Sequence, residues 1–219
     1  NESNVERDKY LPKGYKFNTI NPNSITITND GKVKEINILY TIKKFNYVVN
    51  YYYDDVLDSS LTINKTDIPY GTSVDSNEYY LKDNQIREGY TLDTVKSDNN
   101  TYIITNNDVV INIYYKKNSY GYSVNYFFNS EKGFTTNDSA IYGDKITAQS
   151  KWLSNNKLSE LEKADYFLDP NKNVENNKEI TIGTDKDKNV LDIYYINTNF
   201  NNTTETISKV TNTEKVISS

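Results

Sequence analysis

Tyr47-Val-Val-Asn-Tyr-Tyr-Tyr-Asp54 recurs as Tyr122-Ser-Val-Asn-Tyr-Phe-Phe-Asn129, an offset of 75 (122 − 47). Both copies alternate as a half-buried strand does, with side chains on opposite faces at every step. Tyr47, Val49, Tyr51 and Tyr53 share one face, and Tyr122, Val124, Tyr126 and Phe128 share the equivalent one. The opposite face carries Asn50 and Tyr52, or Asn125 and Phe127.

Three further blocks follow in fixed order. Ile68-Pro-Tyr-Gly-Thr-Ser-Val74 is matched by Ile141-Tyr-Gly-Asp-Lys-Ile146, and each Tyr-Gly pair fits a turn in which glycine supplies the backbone angle. Gly89-Tyr-Thr-Leu-Asp93 has an earlier copy at Gly14-Tyr-Lys-Phe-Asn18 and a later one at Asp165-Tyr-Phe-Leu-Asp169, where Asp165 replaces the glycine. The closing block occurs three times, at Glu35–Tyr40, Val110–Tyr115 and Val190–Tyr195. Its inner faces are Ile36, Ile38 and Tyr40, then Ile111, Ile113 and Tyr115, then Leu191, Ile193 and Tyr195. Asn37, Asn112 and Asp192 point the other way. Ordered blocks at near-constant spacing define a tandem repeat.

The expected fold is mainly β, α+β at most, as tandem β-grasp-like small modules in an elongated array. Residues 1–44 read as the C-terminal half of a truncated first repeat, 45–117 as a second and 118–197 as a third with an enlarged crossover. Residues 198–219 read as an Asn/Thr/Ser-rich linker or the start of another module. Within each repeat the first and last strands are expected side by side at the centre of the sheet. The one helix the spacing suggests is Ser154–Tyr166, on Leu158, Leu161 and Ala164. Residues 1–44 lack an opening strand, so residues 1–9 or a donor strand at Thr206–Ser218 are expected to cover the open edge.

Composition removes whole classes of function. The 219 residues contain 0 His, 0 Cys and 0 Met but 21 Tyr and 7 Phe. Without His or Cys there is no thiol nucleophile, no Ser-His-Asp triad and no zinc or iron–sulfur site built by this chain. The expectation is no catalytic residue, no metal and no cofactor. Net charge is −5, with no basic stripe to neutralise phosphates, so no nucleic acid is expected as partner. No apolar run approaches the ~20 residues that span a bilayer, so no membrane insertion is expected of these residues. Mean hydropathy is low at −0.79. Tyrosine lowers that figure while still burying a large ring, so the chain is expected to fold. The absent initiator Met points to a piece of a longer protein.

The ordered blocks Tyr-x-Val-x-Tyr-Tyr-Tyr-Asp, Tyr-Gly-Thr-x-Val, Gly-Tyr-x-Leu and Val-Ile-x-Ile-Tyr-Tyr resemble the MucBP (mucin-binding protein) repeat superfamily. They are also similar in layout to the B-type repeats of listerial internalins. The resemblance covers nearly all of residues 10–197. It implies a module of a Gram-positive surface protein, extracellular and attached to the cell wall through a segment outside this sequence. It implies a stalk or adhesive role, with a host glycan or host protein as the class of ligand and flanking modules of the same polypeptide as neighbours. The alternative is a non-catalytic accessory region of a large secreted or wall-attached glycan-active enzyme.

If the first and last strands are neighbours, Tyr52 meets Tyr114 and Phe127 meets Tyr194 on the outer face. Two readings stay open for these four residues. Exposed aromatic rows stack on sugar rings, with Asn50, Asn112, Asn125 and Asp192 available for hydrogen bonds; or the rings pack against the crossover or an adjacent repeat. Asp185-x-Asp187-x-Asn189 has the opening spacing of a calcium loop but lacks its glycine and closing glutamate, and Asp54, Asp55 and Asp58 read as turn carboxylates. Lys–Asn isopeptide bonds would need a buried lysine beside an asparagine and a carboxylate.

Overall fold

The computed structural model describes residues 7–199. The chain is mainly β and divides into two compact units. Among the described residues the first comprises residues 7–86 and Thr91–Lys116, and the second comprises Arg87–Tyr90 and residues 117–199.

The first unit contains β1 (Tyr15–Asn21), β2 (Asn37–Ile42), β3 (Lys44–Tyr53), β4 (Val56–Leu57), β5 (Ile63–Pro69), β6 (Ser73–Asp75), β7 (Tyr90–Leu92, shared with the second unit), β8 (Thr101–Ile103) and β9 (Val110–Lys117). β3 turns back through Asp54 and Asp55, whose φ angles of 51° and 64° make the positive-φ pair that a tight hairpin requires. The chain then crosses over, and β9 returns parallel to β3. Parallel neighbours need a crossover of this kind, since no short turn can join them. Short 3-10 turns at Ser76–Tyr79 and Asp83–Gln85 occupy the crossover.

The second unit repeats the plan with β10 (Ser119–Phe128), β11 (Glu131–Ile141), β12 (Lys145–Thr147), β13 (Phe167–Leu168), β14 (Glu179–Thr181) and β15 (Val190–Ile196). Asn129 and Ser130, at φ 49° and 69°, form the matching hairpin turn. β15 lies parallel to β10, and the sheet order is β11-β10-β15-β13. The expected central pairing of first and last strands is therefore present in both units.

The core follows the alternation. Tyr47, Val49, Tyr51 and Tyr53 are buried against Ile111, Ile113 and Tyr115, and Val74 and Ile104 are buried in the same unit. Tyr122, Val124, Tyr126, Phe128, Leu191, Ile193 and Tyr195 form the second core, closed by Ala148, Leu158, Ile180 and Ile182. Tyrosine suits this position because the ring fills the core while the hydroxyl reaches the crossover backbone. Tyr51 donates to Tyr79 O at 2.6 Å, and Tyr126 donates to Lys151 O at 2.7 Å. Leu81 N–H donates to the Tyr115 hydroxyl, and Leu153 N–H to that of Tyr195, both at 2.7 Å. The same core side chain pins the same point of the crossover in each copy.

Two expectations are corrected. The helix covers only Asn155–Glu160 (α1), capped by Ser154 Oγ, which accepts from Lys157 N–H. It ends because Glu162 takes φ 58° and turns the chain, leaving Ala164 exposed while Tyr166 meets Phe128 edge-on at 5.4 Å. A second helical turn, Asn173–Asn176 (α2), has no apolar periodicity to announce it.

In residues 7–44, β1 and β2 form an antiparallel hairpin. Ile36, Ile38 and Tyr40 are half-buried rather than enclosed. Among the described residues β2 pairs with β1 alone, so the edge that β9 gives to β3 carries no strand here. Arg7 lies over the Phe17 ring at 4.5 Å, and its carbonyl accepts from the Tyr40 hydroxyl. Residues 1–6 and the proposed donor strand Thr206–Ser218 lie outside the described residues.

Candidate functional site

The outer aromatic pairs arise from strand register. Parallel pairing sets Tyr52 opposite Tyr114 and Phe127 opposite Tyr194. Side chains directly opposite on one face lie close enough for flat rings to stack. Tyr52 and Tyr114 stack at 4.5 Å between centroids with an 11° interplanar angle. Phe127 and Tyr194 do so at 4.6 Å and 14°. All four are half-buried, so each pair keeps part of its surface in solvent.

The polar neighbours are arranged alike but not identically. In the second unit Asn125 donates to Asp192 Oδ1 at 2.8 Å and accepts from Thr135 Oγ1 at 2.6 Å. In the first unit Thr62 Oγ1 donates to Asn50 Oδ1 at 3.3 Å, while Asn112 Oδ1 is buried without a hydrogen-bond partner. A lysine acts on each pair. Lys96, in an ion pair with Asp55 at 2.7 Å, acts electrostatically on Tyr114. Lys172 Nζ lies 5.0 Å over the Tyr194 ring. Burial, with Tyr52 and Asp55 adding to it, raises the Tyr114 phenol above its ordinary range; burial, Asp192 and Glu175 do the same for Tyr194. Both hydroxyls therefore stay neutral donors at physiological pH. The loops that supply the lysines also carry the exposed Val95 and Val174.

Those loops hold β9 and β15 by a device that the sequence did not reveal. Ser97 Oγ donates to Tyr114 O at 3.1 Å and accepts from Tyr114 N–H at 2.7 Å. Asn176, 1% exposed, accepts from Tyr194 N–H at 2.7 Å and donates to Tyr194 O at 3.1 Å. A hydroxyl in one unit and an amide in the other thus replace a neighbouring strand, since both groups donate and accept at once. Asn176→Ala would leave Tyr194 N–H without its acceptor, while Tyr194 O keeps the bond it accepts from Asp169 N–H at 2.9 Å. The expected loss is about 2 kcal/mol of unfolding free energy, measured by urea denaturation. A loss under about 0.5 kcal/mol would mean that water restores that bond.

The remaining candidates serve the fold. Asn189 is 2% exposed and is spent on Gly183 N–H, Gly183 O and Gly121 O, so it closes a turn and cannot face a cation. Asp185 Oδ1 accepts from Asp187 N–H. Asp54 and Asp55 form the hairpin turn, and Asp58 caps the 3-10 turn after it by accepting from Ser60 N–H. Among the described residues no group of acidic side chains is placed to hold a metal ion, and no lysine is buried as an isopeptide bond would require. No helix among them is long and apolar enough to cross a membrane.

No protein-family model matches the chain, and no curated protein matches it. Among solved structures it is similar to one described as the crystal structure of Mub-RV, at 9% identity and a TM-score of 0.23, over 69% of this chain and 98% of that one.

Proposed function

We propose that this chain is a non-catalytic, MucBP-like repeat region of a bacterial cell-surface protein, acting outside the cell as a stalk that also presents an adhesive face. The observation that carries the reading is the recurrence of one stacked aromatic pair at the same register position in both units. A core needs its inner face repeated; it does not need the outer face to repeat as rings. Stacked, half-exposed rings flanked by amide and carboxylate groups suit the apolar face and hydroxyl rim of a sugar.

A glycan array probed with the full chain tests this. Tyr114→Ala in the first unit and Tyr194→Ala in the second are each expected to weaken binding about tenfold, roughly 1.4 kcal/mol. Tyr52→Ala and Phe127→Ala should act in the same direction. Binding unchanged in all four variants would remove the outer face as the site. Failure of the parent chain to bind any glycan would leave the stalk role alone.

A further inference from the structure

Gly14 and Gly89 belong to the same sequence block in successive copies, and each lies beneath a tyrosine of the following copy's Tyr-Gly block. A Cβ added to Gly14 would fall within the Tyr70 ring, and one added to Gly89 within the Tyr142 ring. Both glycines have φ +82°. The backbone around them is the same as well. Lys43 N–H donates to Gly14 O at 2.8 Å, and Tyr70 N–H donates to Lys43 O at 2.8 Å. Asn118 N–H donates to Gly89 O at 2.8 Å, and Tyr142 N–H donates to Asn118 O at 2.9 Å. Gly14 and Tyr70 both lie in the first unit, and Gly89 and Tyr142 both lie in the second. The arrangement is thus a docking surface with one kind of occupant: a glycine from the block of the copy before.

We propose that Gly14 and Gly89 are the coupling residues that seat the Tyr-Gly corner of the next copy, and that Asp165 withholds this seat in the third. Asp165 carries the Cβ that the ring would strike and is not among the left-handed residues. Its carboxylate accepts instead from Asn197 Nδ2 at 3.2 Å. The third copy therefore keeps the block's strand-forming half and loses its coupling half.

Gly71 and Gly143 provide matched controls within the same chain. Their φ angles are 84° and 82°, yet a Cβ on either would meet nothing within 4 Å. Alanine at any of the four carries the same left-handed cost, so only the seat separates the pairs. In the full chain, Gly14→Ala and Gly89→Ala are expected to lower the unfolding midpoint at least twice as far as Gly71→Ala and Gly143→Ala. With Tyr142→Ala already present, the Gly89→Ala drop should shrink to that of Gly143→Ala. Gly89→Asp, which writes the third copy's residue into the second, should speed hydrogen exchange at the Asn118 and Tyr142 amides at least tenfold. The Ile113 and Ile193 amides, at the centre of the two sheets, should keep their protection. Equal drops for the matched glycines, or unchanged exchange at Asn118 in the Asp variant, would overturn the proposal.

Discussion

Tyr195→Ala is expected to lower the unfolding free energy by about 4 kcal/mol, and Tyr195→Phe by about 2 kcal/mol. Tyr195 is 2% exposed, stacks on Phe128 at 5.6 Å, and accepts from Leu153 N–H through its hydroxyl. Alanine removes both the ring and the bond. It also opens a cavity between β15 and the crossover that the two rigid central strands cannot close. Phenylalanine keeps the ring and leaves only the Leu153 N–H unsatisfied. Urea denaturation of the two variants therefore separates packing from hydrogen bonding. Hydrogen exchange at Leu153 should rise in the Phe variant, because that amide loses its partner. Equal losses in both variants would show that the ring contributes no packing. The same pair of substitutions at Tyr115, which accepts from Leu81 N–H, should reproduce the pattern in the first unit.

The second large effect is loss of structure at alkaline pH. Burial raises the phenols of Tyr47, Tyr51, Tyr115, Tyr126 and Tyr195, in Tyr115 to about 12. In the unfolded chain these groups ionise near pH 10. Below that pH both states are protonated, and the stability gained by burying neutral tyrosine is fully present. Above it the unfolded state releases protons that the folded state retains, so stability falls as pH rises towards the folded pKa values. For Tyr115 alone the span from 10 to about 12 is worth roughly 3 kcal/mol. Tyr47, Tyr51, Tyr126 and Tyr195 act in the same direction, and a loss of this kind is a large part of the stability of an ordinary small domain. Circular dichroism should stay flat to about pH 10 and then fall steeply, with phenolate absorbance rising in the same step. Gradual phenolate formation without loss of structure would mean that the core tyrosines titrate in place.

Alternation alone placed the inner rings and the outer pairs on their faces. The in-phase copies of the opening and closing blocks made Tyr52 and Tyr114, or Phe127 and Tyr194, natural neighbours once parallel pairing was assumed. Local rules also carried the turns. Tyr70-Gly71 and Tyr142-Gly143 bend at glycine as expected, and the hairpins close on Asp54-Asp55 and Asn129-Ser130. The extent of α1 was not legible, because a left-handed Glu162 stops the helix for the sake of Tyr166, a contact outside any helical period.

What the sequence determined by itself is the repeat, the strand faces and the mainly β class, since a period of two and a fixed block order are local properties that chain chemistry enforces. Tertiary structure alone decided the sheet-edge partners and the glycine seats. Ser97 and Asn176 do the same work with different chemistry, because what counts is one donor and one acceptor at a point in space rather than a residue type. Gly14 finds Tyr70, and Gly89 finds Tyr142, across long stretches of chain, so no window of sequence contains both halves of the contact.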